Sequence, residues 1–393
     1  MSGILTTTDA ANPGHRSHVT TQLLPLVAGQ MKVGSPLPFG VRDENGKLLL
    51  AAGQLIGNPG QLDALLARGL YADRAEIEAF VAGRGDAAKK TTLSLFDLWE
   101  QAVWRLEKLL RSIDHEPGFP ERCDEFTNHL VALVQRDPDI AIYLAVRQDA
   151  RRLKLYGLTH ALHCALICQL TATRMGWPAD RMRTLVKAAL TMNLTIIDVQ
   201  ANFAVQGRLT EANRAQIAAH PQSVLELLRA AGVNDPAWLT TVIEHHEHPG
   251  GGGYPAGLTD LSEEAAVLRM ADVFMAKISP RTDRPALPIQ VAARQMFSDA
   301  KGSPAAGALI KEFGIYPPGN FVQLACGELA LVIRRGASAN TPMAAAITDK
   351  SGAPTIHTTR RDTAQAAFAI KALAAESPLV LRMTPERLYG LAE

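Results

Sequence analysis

The feature that most constrains this 393-residue chain is a switch in hydrophobic period. From Ser94 to about Ala300 apolar residues recur with helical spacing, and after Gly314 they alternate. In SLFDLWEQAVWRLEKLL, Leu95, Leu98, Trp99, Val103, Leu106 and Leu110 fall on one stripe, with Ser94 as the cap. Further helices are predicted over about 122–135 and 138–156. Beyond Gly314, FVQLACGELALVI alternates around Gly327 and AAAITDKSGAPTI around 350–352, which predicts two hairpins. A helix over about 363–375 is expected to follow. Near the N-terminus, PFGVRDENGKLLLAAGQLI predicts another hairpin, because Asn45-Gly46 suits a tight primed turn. QLDALLARGLYA then reads as a short helix stopped near Gly69, and AGRGDAAKK as a linker.

A chain this long exceeds one ordinary core. The expected organisation is a polar tail over 1–22, a small α/β module over 23–85, and a helical connector over 92–150. A helical domain over 151–303 and a β-rich C-terminal module with a helix over 304–393 complete it. The 40 basic and 39 acidic residues leave a net charge of +1. That balance argues against nucleic acid or an anionic membrane as the main partner. No apolar run has the length that spans a bilayer, and MSGILTTTDAANPGHRSHVTT lacks the basic start and apolar core of a secretory signal. The expectation is a cytoplasmic protein without a membrane anchor. Cys123, Cys164, Cys168 and Cys326 form no CxxC pair and read as small core residues in a reducing compartment.

Six of the eleven histidines lie between positions 160 and 248. His160 shares a helix face with Cys164, Ile167 and Cys168, and His163 follows one turn on. Asn193 is a polar residue on the stripe of Met182, Leu185, Val186, Ala189 and Leu190, where spacing alone favours a buried amide with backbone partners. In GRLTEANRAQIAAHP, Thr210 caps a helix running to His220, and Pro221 predicts a helix end or kink there. His245 and His246 are adjacent and precede Gly250 to Gly253, Tyr254 and Pro255. A single helix histidine is more often a core or surface residue than a ligand.

Taken in order, HHEHPGGGGYPAGL and ADVF resemble the GYP half of the HD-GYP family, with its HHE, GxGYP and AD elements at the usual spacing. The resemblance runs over about 156–284 and places His160 at the family's first ligand histidine, sixteen residues before Gly176. His220 falls at the histidine closing the helix that begins LT. The implied fold is mainly α: an HD-superfamily helical bundle core with a small N-terminal α/β hairpin module and a small C-terminal β-rich module. HD-GYP proteins are helical phosphodiesterases that open cyclic-di-GMP at a two- or three-metal site, often iron or manganese. The implied ligands are His160, the HD pair, His220, His245, His246 and Asp272. Glu247, Gly251, Gly253, Tyr254 and Pro255, with Arg281, are the implied ligand or partner loop. Arg284 and Lys187 are further candidate cations.

The chain departs from this pattern at its centre. Met192 stands for the histidine and Asn193 for the aspartate of the HD pair, Ile196 for a lysine, and Tyr156 for a glutamate found in some members. Gly250, Met275, Lys277 and Ile278 are further departures. An amide is neutral and offers one weak oxygen donor, so it cannot neutralise two cations as a bridging carboxylate does. A thioether is a poor ligand for iron(II), manganese or magnesium. The implied cofactor is therefore one divalent metal, iron, manganese or zinc, held by the remaining histidines and Asp272, or none.

The expected function is a bacterial cyclic-di-GMP signalling protein without intact catalytic residues. It would bind the nucleotide or a protein such as a diguanylate cyclase, and could form a homodimer. The second reading is a slow phosphodiesterase with a reduced metal site. A third, an adaptor similar to metal-free HDOD domains, is disfavoured by the intact HHE and GYP elements.

Overall fold

The computed structural model describes residues 21–24, 28–42, 48–68, 71–73, 76–78, 94–376 and 385–390. The chain divides into two compact units, 1–91 and 92–393. The first holds an antiparallel sheet of β1 (Thr21–Leu23), β2 (Val41–Arg42), β3 (Leu48–Leu50) and β4 (Tyr71–Asp73), in the order β1-β4-β2-β3. β2 and β3 pair as the predicted hairpin. The Asn45-Gly46 turn, the linker over 82–90 and residues 1–20 of the expected tail lie outside the described residues. β1 begins at Thr21, inside the span assigned to that tail. Helix α1 (Pro59–Arg68) stops one residue before Gly69. Leu24, Leu37, Phe39, Val41, Ile56 and Ala72 form the buried core of this unit.

The second unit opens with α2 (Leu95–Arg111). Ser94 Oγ accepts from the Asp97 amide while the Asp97 carboxylate accepts from the Ser94 amide, so both orphan donors are satisfied. Helices α3 (Phe119–Arg136) and α4 (Pro138–Val146) follow. The helix expected over 138–156 breaks at Arg147, and a 3-10 segment (Ala150–Leu155) replaces its second half. There Arg152 forks onto Glu100 of α2 at 2.6 and 2.7 Å, a long-range pairing that helical spacing does not announce.

Helix α5 (Tyr156–Arg174) is buried along nearly its whole length and forms the axis of the bundle. Around it pack α6 (Ala179–Thr191), α7 (Ile197–Gln206), α10 (Glu263–Ile278) and α12 (Pro304–Phe313). Helices α8 (Glu211–Ala230), α9 (Pro236–Glu244) and α11 (Ile289–Asp299) complete the helical part.

A five-stranded antiparallel sheet closes the unit in the order β8-β7-β6-β5-β9. It comprises β5 (Phe321–Leu324), β6 (Leu329–Arg334), β7 (Met343–Thr348), β8 (Pro354–Asp362) and β9 (Ile370–Leu373). The two predicted hairpins are present. The helix expected over 363–375 is not: a short 3-10 turn (Ala366–Phe368) leads into β9, which pairs with β5. The free edge of β5 supplies hydrogen-bond partners that outweigh the helical propensity of this Ala-rich stretch. Helix α13 (Pro385–Leu388) follows. Tyr389, just past it, sets its ring edge-on against Phe96 of α2 and Tyr143 of α4. No helix among the described residues is long and apolar enough to cross a membrane.

Candidate metal centre

Helix α8 does not end or break at His220 but continues through Pro221 to Ala230. Buried Val224, Leu225 and Leu228 carry it past the proline. Proline has no amide hydrogen, so the Ile217 carbonyl, four residues back, loses its helical donor. The His220 ring fills that vacancy: Nδ1–H donates to the Ile217 carbonyl at 2.5 Å. His245, at the C-cap of α9, does the same by another route. The last four carbonyls of a helix lack intrahelical donors, and His245 Nδ1–H donates to the Val242 carbonyl at 2.6 Å.

A carbonyl only accepts, so both rings carry hydrogen on Nδ1 and a lone pair on Nε2. The two Nε2 atoms face each other at 3.2 Å. Two acceptors at that distance repel, and a cation between them reverses the sign. Zinc–nitrogen bonds of about 2.0–2.1 Å at a tetrahedral angle would set the nitrogens about 3.3 Å apart. His246 adds a third donor, and one ligand atom from each histidine lies within 4.8 Å of the others. Burial pushes His220 and His245 down to about 4 and His246 to about 3. All three are therefore neutral at pH 7, the form that binds a metal.

His160 and Asp272 lie in a second group. Their Nε2 and Oδ1 atoms are 2.7 Å apart, and Cys164 Sγ lies 3.5 Å from the same nitrogen. Burial pushes the Asp272 carboxyl up, but the hydrogen bond from His160 outweighs it and holds the carboxyl below the usual range. Tyr156 stacks on the His160 ring at 5.4 Å. The Asp272 carboxylate favours the charged forms of His220, His245 and His246, but burial outweighs it in each. The five expected ligands thus separate into a three-histidine group and a group of His160, Asp272 and Cys164. Cys164, read from sequence as a core residue, is the addition; its spacing of one turn from His160 was the available signal.

Met192 is fully buried at the C-cap of α6, and Asn193, 3% exposed, begins the turn after it. Glu247, assigned by the resemblance to the ligand or partner loop, is fully buried. Its carboxylate accepts from the amides of Ala256, Gly257 and Leu258 at 2.6, 3.1 and 2.9 Å, which ties the glycine-rich loop to the end of α9. Gly253 sits so close to this backbone that a Cβ would lie 2.4 Å from the Glu247 Cα. Tyr254 stacks on His246 at 4.6 Å, and Pro255 follows it through a cis peptide bond. Gly251, in the same loop, has φ of +91°.

Of the expected cations, Lys187 is engaged elsewhere, 2.9 Å from Asp124 and above the Trp238 ring. Arg281 lies 3.5 Å from Asp283 and over the Phe203 ring, and Arg284 donates to the Ala276 carbonyl.

Residues 144–302 match the HD domain family model. Over 229 residues the chain is 26% identical to a cyclic di-GMP phosphodiesterase of Pseudomonas aeruginosa. The match takes in 56% of this chain and 54% of that protein, so the chain spans about half the length of the curated relative. An HDG"Y"P protein from Bdellovibrio bacteriovorus shares the fold with a TM-score of 0.55 and 13% identity, over 74% of this chain and 98% of that one. Both donor groups and the loop that Glu247 anchors fall inside the segment that matches the HD domain family model, and its HHE and GYP elements resemble those of the HD-GYP family.

Proposed function

We propose that this chain is a cyclic-di-GMP signalling protein whose HD-GYP domain has lost efficient phosphodiester hydrolysis and acts by binding the nucleotide or a protein partner such as a diguanylate cyclase. The observation that carries this reading is Met192-Asn193 at the HD positions. Two-metal hydrolysis uses cations about 3.5–4 Å apart, with a shared water acidified between them. A neutral amide supplies no anionic bridge for such a pair, and a thioether replaces an imidazole donor. The three-histidine group supports one divalent ion with an open position. The Pseudomonas relative, a cyclic di-GMP phosphodiesterase, supplies the nucleotide class.

Elemental analysis of the purified protein is expected to give a single equivalent of iron, manganese or zinc per chain. Cyclic-di-GMP turnover in excess manganese is expected to be negligible, with binding retained. The Met192→His/Asn193→Asp variant should take up additional metal but regain only part of the activity, because Ile196 and Gly250 remain changed. Brisk turnover by the unaltered chain would overturn the reading. The second reading, slow hydrolysis at a reduced site, is favoured by the fit of His220, His245 and His246 to one cation, and the same assay decides it.

A further inference from the structure

Pro221 lies one residue from a candidate ligand, in the interior of a twenty-residue helix. A proline there costs a backbone hydrogen bond and crowds the carbonyl four residues back. Its ring is buried, and the helix continues for nine residues beyond it. What the proline changes is the acceptor: the Ile217 carbonyl, without an amide donor of its own, receives the His220 Nδ1–H at 2.5 Å. That bond fixes the tautomer and points Nε2 toward His245 Nε2, 3.2 Å away.

We infer that Pro221 is a positioning residue of the metal centre, which sets the His220 ring for ligation by withholding the backbone donor that would otherwise compete for the Ile217 carbonyl. The inference rests on reading the three histidines as a metal site. His245 provides an internal comparison, because its acceptor, Val242, lies in the last turn of α9 and owes nothing to a proline. A metal-bound imidazole is ordinarily oriented by a bond from its other nitrogen, and losing such a partner weakens binding by about 10–100-fold. Sharing the carbonyl weakens the bond without abolishing it, so the lower end of that range is expected.

The test is Pro221→Ala in the full chain, with zinc as the probe. A helix-interior alanine is better than proline, so the metal-free variant should melt at a higher temperature. Its zinc affinity, measured by competition with a chromogenic chelator, should nevertheless fall by about tenfold. Nitrogen NMR of the metal-free protein should show His220 moving from a single Nδ1–H tautomer to a mixture, with His245 unchanged. Zinc affinity equal to that of the native chain overturns the inference. So does a fall in affinity accompanied by a lower metal-free melting temperature, since damage to the fold would then explain both. His220→Ala separates this from the underlying reading. If the native chain binds no zinc, or His220→Ala binds it as well as the native chain, the metal site itself is refuted; if only Pro221→Ala is silent, the positioning role alone falls.

Discussion

Glu247 has a carboxylate that is fully shielded from water and accepts from three consecutive backbone amides. Glu247→Gln can accept at only one oxygen and places an amide donor among donors. An unsatisfied buried donor costs about 1–3 kcal/mol, so this variant should melt earlier and expose the 248–258 loop to limited proteolysis. Glu328 makes a different case. Its carboxylate receives two bonds from Arg361 at 2.7 Å, which hold its pKa below the ordinary value. A depressed folded-state pKa contributes stability above the unfolded value, about 4.3, and loses it as pH falls through the lower folded value. Native protein should therefore exceed Glu328→Gln in chemical-denaturation stability at pH 7, and the two should converge in acid. Met192 and Asn193 stand as departures only within the sequence resemblance, where the surrounding motif sets their places. The split of the ligand set was not, because no spacing along the chain says which of five donors will share an ion.

At the scale of elements, the bundle depends on one close approach. Gly157, in the first turn of α5, lies against α7 so tightly that a Cβ would fall 2.5 Å from the Ile197 carbonyl oxygen. Backbone, not a flexible side-chain end, is in the way, so Gly157→Ala must push the helices apart. Overpacking of this kind costs about 1–3 kcal/mol. Thermal melts should show the loss, and because His160 lies one turn further along α5, metal content should fall with it. Helices were readable where an amphipathic stripe or a cap announced them, as with Ser94 and Thr210. They were misread where a distant partner set the outcome: β9 forms because β5 offers an open edge, and α8 passes Pro221 because its next turn is buried.

For the molecule as a whole, the division at residue 91 predicts two unfolding transitions in calorimetry. Zinc should shift the transition of unit 92–393, which holds all the candidate ligands, and leave the other in place, because a ligand stabilises only the fold that binds it. Within that unit the C-terminal sheet is joined to the helices through Tyr389, whose carbonyl accepts from Arg360 of β8 and whose ring packs against Phe96 and Tyr143, and by Arg335, just past β6, which bridges Asp139 and Glu312. Sequence alone determined the helical bundle and the two C-terminal hairpins, because period and turn chemistry are local properties. Only the tertiary structure decided how the donors divide, that Cys164 joins His160 and Asp272, and that Glu247 turns inward. Those outcomes depend on distances between residues up to 112 positions apart, as between His160 and Asp272, which packing sets and local pattern does not.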